Sequence, residues 1–516
     1  METPRLRAHL QGMVLYEAAR AVLQKHFGYD DFRGGQRDAI RSILTGRDTL
    51  VLMPTGGGKS LCFQIPAMVL TGPTLVISPL ISLMKDQVDN ASRAGIPATF
   101  VNSTLTPAEV NQRMAGVRSG RYKLLYFAPE RAENPRFVEV LKGMGVALLA
   151  VDEAHCLSQW GYEFRPSYLK LGALREALGC RIIALTATAT PEVRRDIVTH
   201  LRMKRPTILA SGFDRPNLKW HVLAAERPAD KDALLLRLLA RERSGPALVF
   251  AATRKRVDAI ADYLNSRSLR ASGYHAGIKT EERTRLQEAF MTEKAGVVVA
   301  TNAFGMGIDK ANVRLVVHFD MPASLESYYQ EAGRAGRDGG DSDCLLLHAY
   351  RDRFTHEFMI DGAHPKEETV RRVLKLLPQR MTRDDLDSVL KTTATNRREL
   401  GSAIRILAKA GVVEVSGKGA AGSVRVLTRV LRSELLNDAR IAREREVVRL
   451  KRMQAYAYHG KCRRTFVLEY FGARFRANDC AGCDNCAGAA FLPGARRPAS
   501  RFAWPRGSDL VRMKRR

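Results

Sequence analysis

With 83 Lys and Arg against 54 Asp and Glu, the 516-residue chain carries a formal charge of +29, and 45% of its residues are hydrophobic. That composition excludes a globally disordered chain and supplies apolar material for three or four domains with their own cores. No apolar run approaches the roughly 20 residues of a membrane span, and the start Met1-Glu2-Thr3-Pro4-Arg5 lacks a signal-peptide core, so the expected compartment is the cytoplasm or nucleoid. The excess of cations favours a polyanionic partner, nucleic acid first, through counterion release.

From about residue 12 to 210, short apolar runs alternate with longer amphipathic stretches, the rhythm of a parallel α/β sheet. Strands are predicted at 49–53, 74–78, 122–128, 146–151 and 181–186. The rhythm restarts after Phe213-Asp214-Arg215-Pro216-Asn217, with runs at 247–251, 271–274, 297–301 and 315–319, so residues 211–350 are expected to form a second α/β domain. Beyond it, 367–377, 382–390 and 397–410 read as helices, followed by a hairpin of 412–416 and 423–428 around a glycine-rich turn. Three helices and a ribbon suggest a winged helix over 366–432. Arg397, Arg398, Arg405 and Lys409 on its third helix would contact DNA phosphates, although winged helices also dock proteins. A long charged helix opens a cysteine-bearing module at 433–490, and 491–516 is expected to be a flexible basic tail.

The run 49–53 leads into Pro54-Thr55-Gly56-Gly57-Gly58-Lys59-Ser60, the strand, glycine loop and helix start that a nucleoside triphosphate requires. Backbone N–H groups of Thr55, Gly56, Gly57 and Gly58 can close on the β-phosphate, Lys59 can neutralise β and γ oxygens, and Ser60 can ligate Mg²⁺. Met53 stands where the strict phosphate-loop pattern has glycine. Asp152 and Glu153 follow a second apolar run, at the carboxyl end of a strand, where open α/β sheets place ligands. There Asp152 would hold Mg²⁺, directly or through water, and Glu153 would orient or deprotonate the attacking water. The next loop, Ser158 to Pro166, mixes Trp160, Tyr162 and Phe164 with Arg165. A base can stack on such aromatics while Arg165 attracts phosphate, although Trp160 and Phe164 also suit core packing.

Asp152-Glu153-Ala154-His155 after such a loop resembles the superfamily 2 helicases, and further detail narrows the resemblance to the RecQ family. The matching runs include Phe27-Gly28-Tyr29, Phe32-Arg33 and Gln36, the stretch from Ser78-Pro79 to Asp86-Gln87, the aromatic-rich loop, and Ala184-Leu185-Thr186-Ala187-Thr188-Ala189-Thr190. The resemblance implies two tandem RecA-like domains that bind ATP, with Tyr29 and Arg33 sandwiching adenine and Gln36 reading its edge. Ala300 to Asp309 matches the fifth helicase motif, and Tyr274-His275-Ala276-Gly277 a segment near the DNA backbone. In Gln330 to Asp338, the sixth motif, Arg334 and Arg337 are the arginine-finger candidates.

Cys462, Cys480, Cys483 and Cys486 form a C-x17-C-x2-C-x2-C set. In a reducing compartment four thiolates read as a closed tetrahedral zinc site, while the triplet spacing also suits an iron–sulfur cluster. Resemblance to the RecQ zinc module favours Zn²⁺. The family order places a winged helix after that module; here the candidate precedes it, and its tip at 418–422 has no aromatic residue. The expected activity is ATP-dependent, 3′-to-5′ DNA unwinding on single-stranded, forked or partly duplex DNA in repair or recombination. A translocase or annealing factor without processive unwinding and a non-catalytic DNA-binding scaffold are the alternatives.

Overall fold

The computed structural model describes residues 4–498 apart from 162, 211–212, 242–244, 293–295, 305–309, 383, 418–422, 474, 476–479, 481, 489–490 and 493. Seven strands, β1 (Thr49–Leu52), β2 (Thr74–Ile77), β3 (Ala98–Val101), β4 (Leu124–Phe127), β5 (Leu148–Val151), β6 (Arg181–Thr186) and β7 (Thr207–Ala210), form the first sheet. They stand in the order β3-β4-β2-β5-β6-β1-β7 and every pairing is parallel. All residues of β1, β2, β4 and β5 are buried, because apolar cores lie on both faces. The N-terminal helix Pro4–Phe27 adds Tyr16, Ala19 and Leu23 from one face to one of those cores.

A second parallel sheet follows, with β8 (Leu218–Ala224), β9 (Ala247–Phe250), β10 (Ala271–Tyr274), β11 (Val297–Ala300), β12 (Leu315–His318) and β13 (Ser342–His348) in the order β10-β11-β9-β12-β13-β8. The α/β class and two RecA-like sheets agree with the sequence expectation. Strands β3, β7, β8 and β13 are additional to it. Strand β8 carries Lys219 and His221, which broke the apolar pattern, and as an edge strand it can accommodate them.

The winged-helix candidate has helices Glu367–Leu376, Leu386–Thr393 and Arg397–Lys409 and a three-stranded antiparallel sheet of β14 (Arg380–Met381), β15 (Val413–Ser416) and β16 (Ser423–Val426), ordered β14-β16-β15. Its tip, 418–422, lies outside the described residues. An unforeseen helix, Asp352–Ala363, packs against both Arg397–Lys409 and the long helix Asn437–Ala457. The helices that lead into and out of the winged-helix candidate therefore pack on each other.

The cysteine module caps the open edge of the second sheet. Asp484 Oδ2 accepts from the Val222 N–H of β8 (2.9 Å), and the Ala224 N–H donates to Arg496 O (2.7 Å). Phe491 lies against His221 (ring centroids 4.3 Å apart) and Leu492 is buried. The start of the segment expected as a flexible tail is therefore packed on the second domain; residues 499–516 lie outside the described ones.

Candidate nucleotide and nucleic-acid sites

The carboxyl ends of β1 and β5 face the second domain across a cleft of about 500 Å³. Its lining includes Tyr29, Thr55, Gly56, Gly58, Lys59, Ser60, Asp152, Glu153, Arg334 and Arg337, so the residues singled out in four separate stretches converge. Gly56 and Gly58 adopt φ of +81° and +73°, and a Cβ on Gly58 would fall 2.2 Å from Gln36 Nε2. Met53 is buried, with its N–H bonded to Thr186 O and its carbonyl accepting from Lys59 Nζ (3.2 Å), so the loop closes without a glycine there.

The loop is internally braced. Gln36 Nε2 donates to Gly57 O (3.1 Å) and Gly58 O (3.3 Å), while its Oε1 accepts from the Arg33 N–H. The amide expected to read an adenine edge thus holds the phosphate loop, and Tyr29, 56% exposed, and Arg33 lie at the open side. Lys59 Nζ also reaches Pro54 O (3.3 Å), and burial pushes its pKa down, opposed by Glu153 and Asp152.

Burial pushes the Asp152 carboxyl up to about 7, and the adjacent Glu153 charge adds to the rise. Burial opposes ionisation of Glu153 too, but the hydrogen bond and charge of His155, with Lys59 and Arg334, hold its pKa below the ordinary value. Glu153 sits at φ +46°, a left-handed conformation uncommon for a side-chain-bearing residue. His155 Nδ1 lies 3.3 Å from Glu153 Oε2 and 2.9 Å from Thr186 Oγ1, linking the acid pair to the end of β6. Gln87 spans the metal-ligand candidates: Ser60 Oγ donates to its Oε1 (3.5 Å) and its Nε2 donates to Asp152 Oδ2 (3.3 Å). Ser60 and Asp152 are hard oxygen donors facing one another through that amide, a set that fits Mg²⁺.

Arg334 and Arg337 follow the helix Leu325–Ala332 of the second domain. Arg334 helps keep Glu153 ionised and Arg337 disfavours the charge on Lys59, and both line the cleft with these residues. Arg337 is already against the phosphate loop: a Cβ on Gly56 would lie 3.2 Å from its Cγ.

The aromatic-rich loop is occupied by protein partners. The Arg445 guanidinium stands 4.2 Å from the Trp160 ring centroid, its Nη1 donates to Gln159 Oε1 (2.7 Å), and Arg449 Nη2 donates to Gly161 O (2.7 Å). Both arginines belong to the helix Asn437–Ala457. Arg165 donates to Pro79 O (2.7 Å) and Glu163 Oε1 (3.0 Å), and Phe164 is half-buried. Tyr162 and 305–309, the end of the fifth-motif match, lie outside the described residues. In the winged-helix candidate, Arg397, Arg398, Arg405 and Lys409 are all exposed. Arg397 pairs with Asp387 (3.3 Å), Arg405 donates to Ser402 Oγ (2.8 Å), which donates to Gly362 O, and the stem of Arg398 lies where a Cβ on Gly362 would be 3.2 Å from its Cδ, so this helix end also packs on Asp352–Ala363.

The sulfurs of Cys462, Cys480, Cys483 and Cys486 all lie within 4.8 Å of one another. Backbone N–H groups of Thr465, Arg463 and Cys483 point at Cys462, Cys483 and Cys480 sulfurs at 3.4–3.5 Å, as suits thiolates on a metal. Buried Arg463 locks this knot by pairing with Asp484 (2.5 Å) and donating to Tyr456 O (2.9 Å).

Residues 33–197 match the DEAD/DEAH box helicase family, 230–339 the helicase conserved C-terminal domain, and 423–487 the RecQ zinc-binding family. A probable ATP-dependent DNA helicase RecS of Bacillus subtilis is 40% identical over 367 residues, 70% of this chain and 73% of that protein. The chain belongs to the RecQ helicase family. An ATP-dependent DNA helicase RecQ of the same organism is 46% identical over 69% of this RecQ-family chain, and that of Pasteurella multocida 43% identical over 70%. The chain spans 61% and 57% of the length of those two relatives. Among solved structures, a Mycobacterium smegmatis helicase Lhr bound to ssDNA and AMP-PNP aligns over 82% of this chain and 61% of its own, with TM-score 0.51 and 21% identity. The DNA-bound helicase MrfA aligns over 80% and 59%, with TM-score 0.55 and 18% identity. At these identities the likeness concerns the fold.

Four groups of this RecQ chain were not assigned from sequence. Gln87 lies in the run 78–87, and Arg215 and Asn217 in the linker between the two sheets, where no local pattern marks a role. Arg445 and Arg449 are two of many charges on a helix, and their partners Gln159 and Gly161 lie nearly 290 residues away in sequence. Asp484 sits between two cysteines, which drew attention to the sulfurs alone.

Proposed function

We propose that the protein is an ATP-dependent DNA helicase that translocates 3′-to-5′ on single-stranded DNA and separates duplexes in repair or recombination. The observation that carries this reading is the convergence of Lys59, Asp152 and Glu153 from one sheet with Arg334 and Arg337 from the other in a single cleft. Tyr29 and Arg33 at its open side flank adenine, Gln36 reads the adenine edge once its amide leaves Gly57 O and Gly58 O, and Thr55 to Gly58, Lys59 and Ser60 hold the phosphates. Ser60 and Asp152 would hold Mg²⁺, which would supply charge neutralisation on the phosphate oxygens. Glu153 orients or deprotonates the attacking water, and Arg334 and Arg337 stabilise charge on the γ-phosphate as the domains close. Zn²⁺ on the four cysteines contributes folding energy to the module.

DNA contacts fall to Trp160, Phe164 and Arg165 near the cleft and to Arg397 and Arg398 on the winged-helix candidate, on single-stranded, forked or partly duplex DNA. The Lhr structure is bound to ssDNA and the MrfA structure to DNA, which supports DNA as the ligand class. The absence of an aromatic in 418–422 favours one second reading, a DNA-stimulated translocase or annealing factor without processive unwinding. The test is ATP hydrolysis with and without single-stranded DNA. Wild type is expected to be stimulated by DNA, and Lys59→Ala and Glu153→Gln to lose about 10²-fold or more. Full turnover in either variant overturns the roles assigned.

A further inference from the structure

One arginine outside the cleft binds both of its walls. The linker from β7 to β8 carries Arg215, whose Nη1 donates to Thr55 O (3.2 Å) and Gly333 O (3.4 Å) and whose Nη2 donates to Ala335 O (2.9 Å) and Gly336 O (2.7 Å). Thr55 opens the phosphate loop, and Gly333 to Gly336 carry Arg334 and lead directly into Arg337. Neighbouring Asn217 Nδ2 donates to Gly336 O and Gly340 O, both at 2.8 Å, and Gly336 itself adopts φ +52°, where a Cβ would strike Asn217 Nδ2 at 2.4 Å. The arginine-bearing turn is thus shaped by the linker.

The base from which Arg215 reaches is itself fixed. Arg464 of the zinc module donates to Pro216 O (3.1 Å) and Leu218 O (2.9 Å), and Tyr329 OH donates to Phe213 O (2.5 Å). Phe213 stacks on Phe471 with the rings 5.5 Å apart and parallel to within 1°. A planar guanidinium with several donors in a fixed fork can tie two segments at once, which a lysine ammonium on a flexible stem does poorly.

We propose that Arg215 is a positioning residue for ATP hydrolysis, holding the phosphate loop and the Arg334/Arg337 turn at the separation the reaction needs. It is absent from the lining of the cleft and acts through the backbone of both walls. The proposal rests on the ATPase reading of that cleft. Misplacing a catalytic group by about 1 Å can cost on the order of 10²-fold, so removing the tie lowers kcat and spares KM for ATP.

The experiment is a double-substitution cycle on full-length, zinc-loaded protein, with kcat and KM for ATP measured at saturating single-stranded DNA for wild type, Arg215→Lys, Arg337→Ala and the pair. Arg215→Lys is expected to lower kcat about 10- to 100-fold, change KM for ATP less than about 3-fold, and cause little added loss in the Arg337→Ala background, because both act through one turn. An unchanged kcat in Arg215→Lys, or an equal loss in both backgrounds, overturns the proposal. A wild type without DNA-stimulated turnover, or Arg337→Ala with full turnover, overturns the reading of the cleft instead. Should Arg215→Lys unfold, seen as lost zinc and a lowered melting temperature, Asn217→Ser replaces it with the same expected kcat loss and the same overturning outcomes.

Discussion

The nucleotide cleft and the surface around the aromatic-rich loop sit on the same first domain, yet they are prepared differently. In the cleft, side-chain amide bonds from Gln36 and Gln87 hold the loop and the acids in place while Tyr29 and the lining remain open to a ligand. Around Trp160, the groups that would meet nucleic acid are satisfied by the protein: Arg445 on the indole, Pro79 O and Glu163 on Arg165. The first site is assembled for a ligand; at the second, the long helix of the zinc module already covers the aromatic loop, so a DNA strand binding there would displace Arg445 and Arg449.

The largest expected effect breaks the support of that helix. Asp484→Ala leaves Arg463 buried without its carboxylate, and losing one partner of a buried pair costs about 3–5 kcal/mol. Hydrogen exchange should rise across 456–487 and zinc content should fall, with nucleotide binding in the cleft retained. Loss of nucleotide binding to the same degree would mean that the two regions are one unit.

A pH dependence comes next. Burial, with Lys231 and Arg463 nearby, pushes His348 down to about 4 from 6.5. Between those values the unfolded chain holds a proton the folded one refuses, so the stability contributed by neutral His348 is complete above pH 6.5 and is lost as pH falls toward 4. A shift of that size amounts to roughly 3 kcal/mol. His348 faces Tyr458 at the end of the long helix (ring centroids 4.8 Å apart), so acid should loosen the seat of the module on the second domain. Melting temperatures followed across this window should fall for wild type and fall less for His348→Phe; parallel curves would remove His348 as the cause.

Two smaller substitutions compare the sites directly. Trp160→Ala removes a stacking platform worth about 1–3 kcal/mol per base and should lower DNA-stimulated hydrolysis about tenfold while basal hydrolysis changes little; equal losses would make Trp160 a packing residue. Arg445→Ala removes a cation–π contact of about 0.5–1 kcal/mol. It should tighten single-stranded DNA binding a few-fold, read by fluorescence anisotropy, whereas weaker binding would make Arg445 itself a DNA contact.

The parts legible in the sequence were those whose physics is local. Buried parallel strands such as Leu148–Val151 show as continuous apolar runs, and a phosphate loop needs its glycines in one stretch, so β1, β5, Lys59 and the acids could be placed by pattern alone. Edge strand β8 was hidden by Lys219 and His221, and helix Asp352–Ala363 by its partner lying about 80 residues further along the chain. The bracing groups, Arg215, Arg445 and Arg463, were invisible because an arginine's partners are set by tertiary approach, and on a chain with this many cations each reads as solvated surface. Arg398 shows the converse: a helix end that reads as a phosphate contact is in part a docking face.

Strand separation tests the central claim most directly. Wild-type protein should unwind a short duplex with a 3′ single-stranded tail when ATP and Mg²⁺ are present, leave the 5′-tailed duplex paired, and lose the activity in Lys59→Ala. Equal unwinding of both substrates, or 3′-tail unwinding that survives in Lys59→Ala, would contradict it.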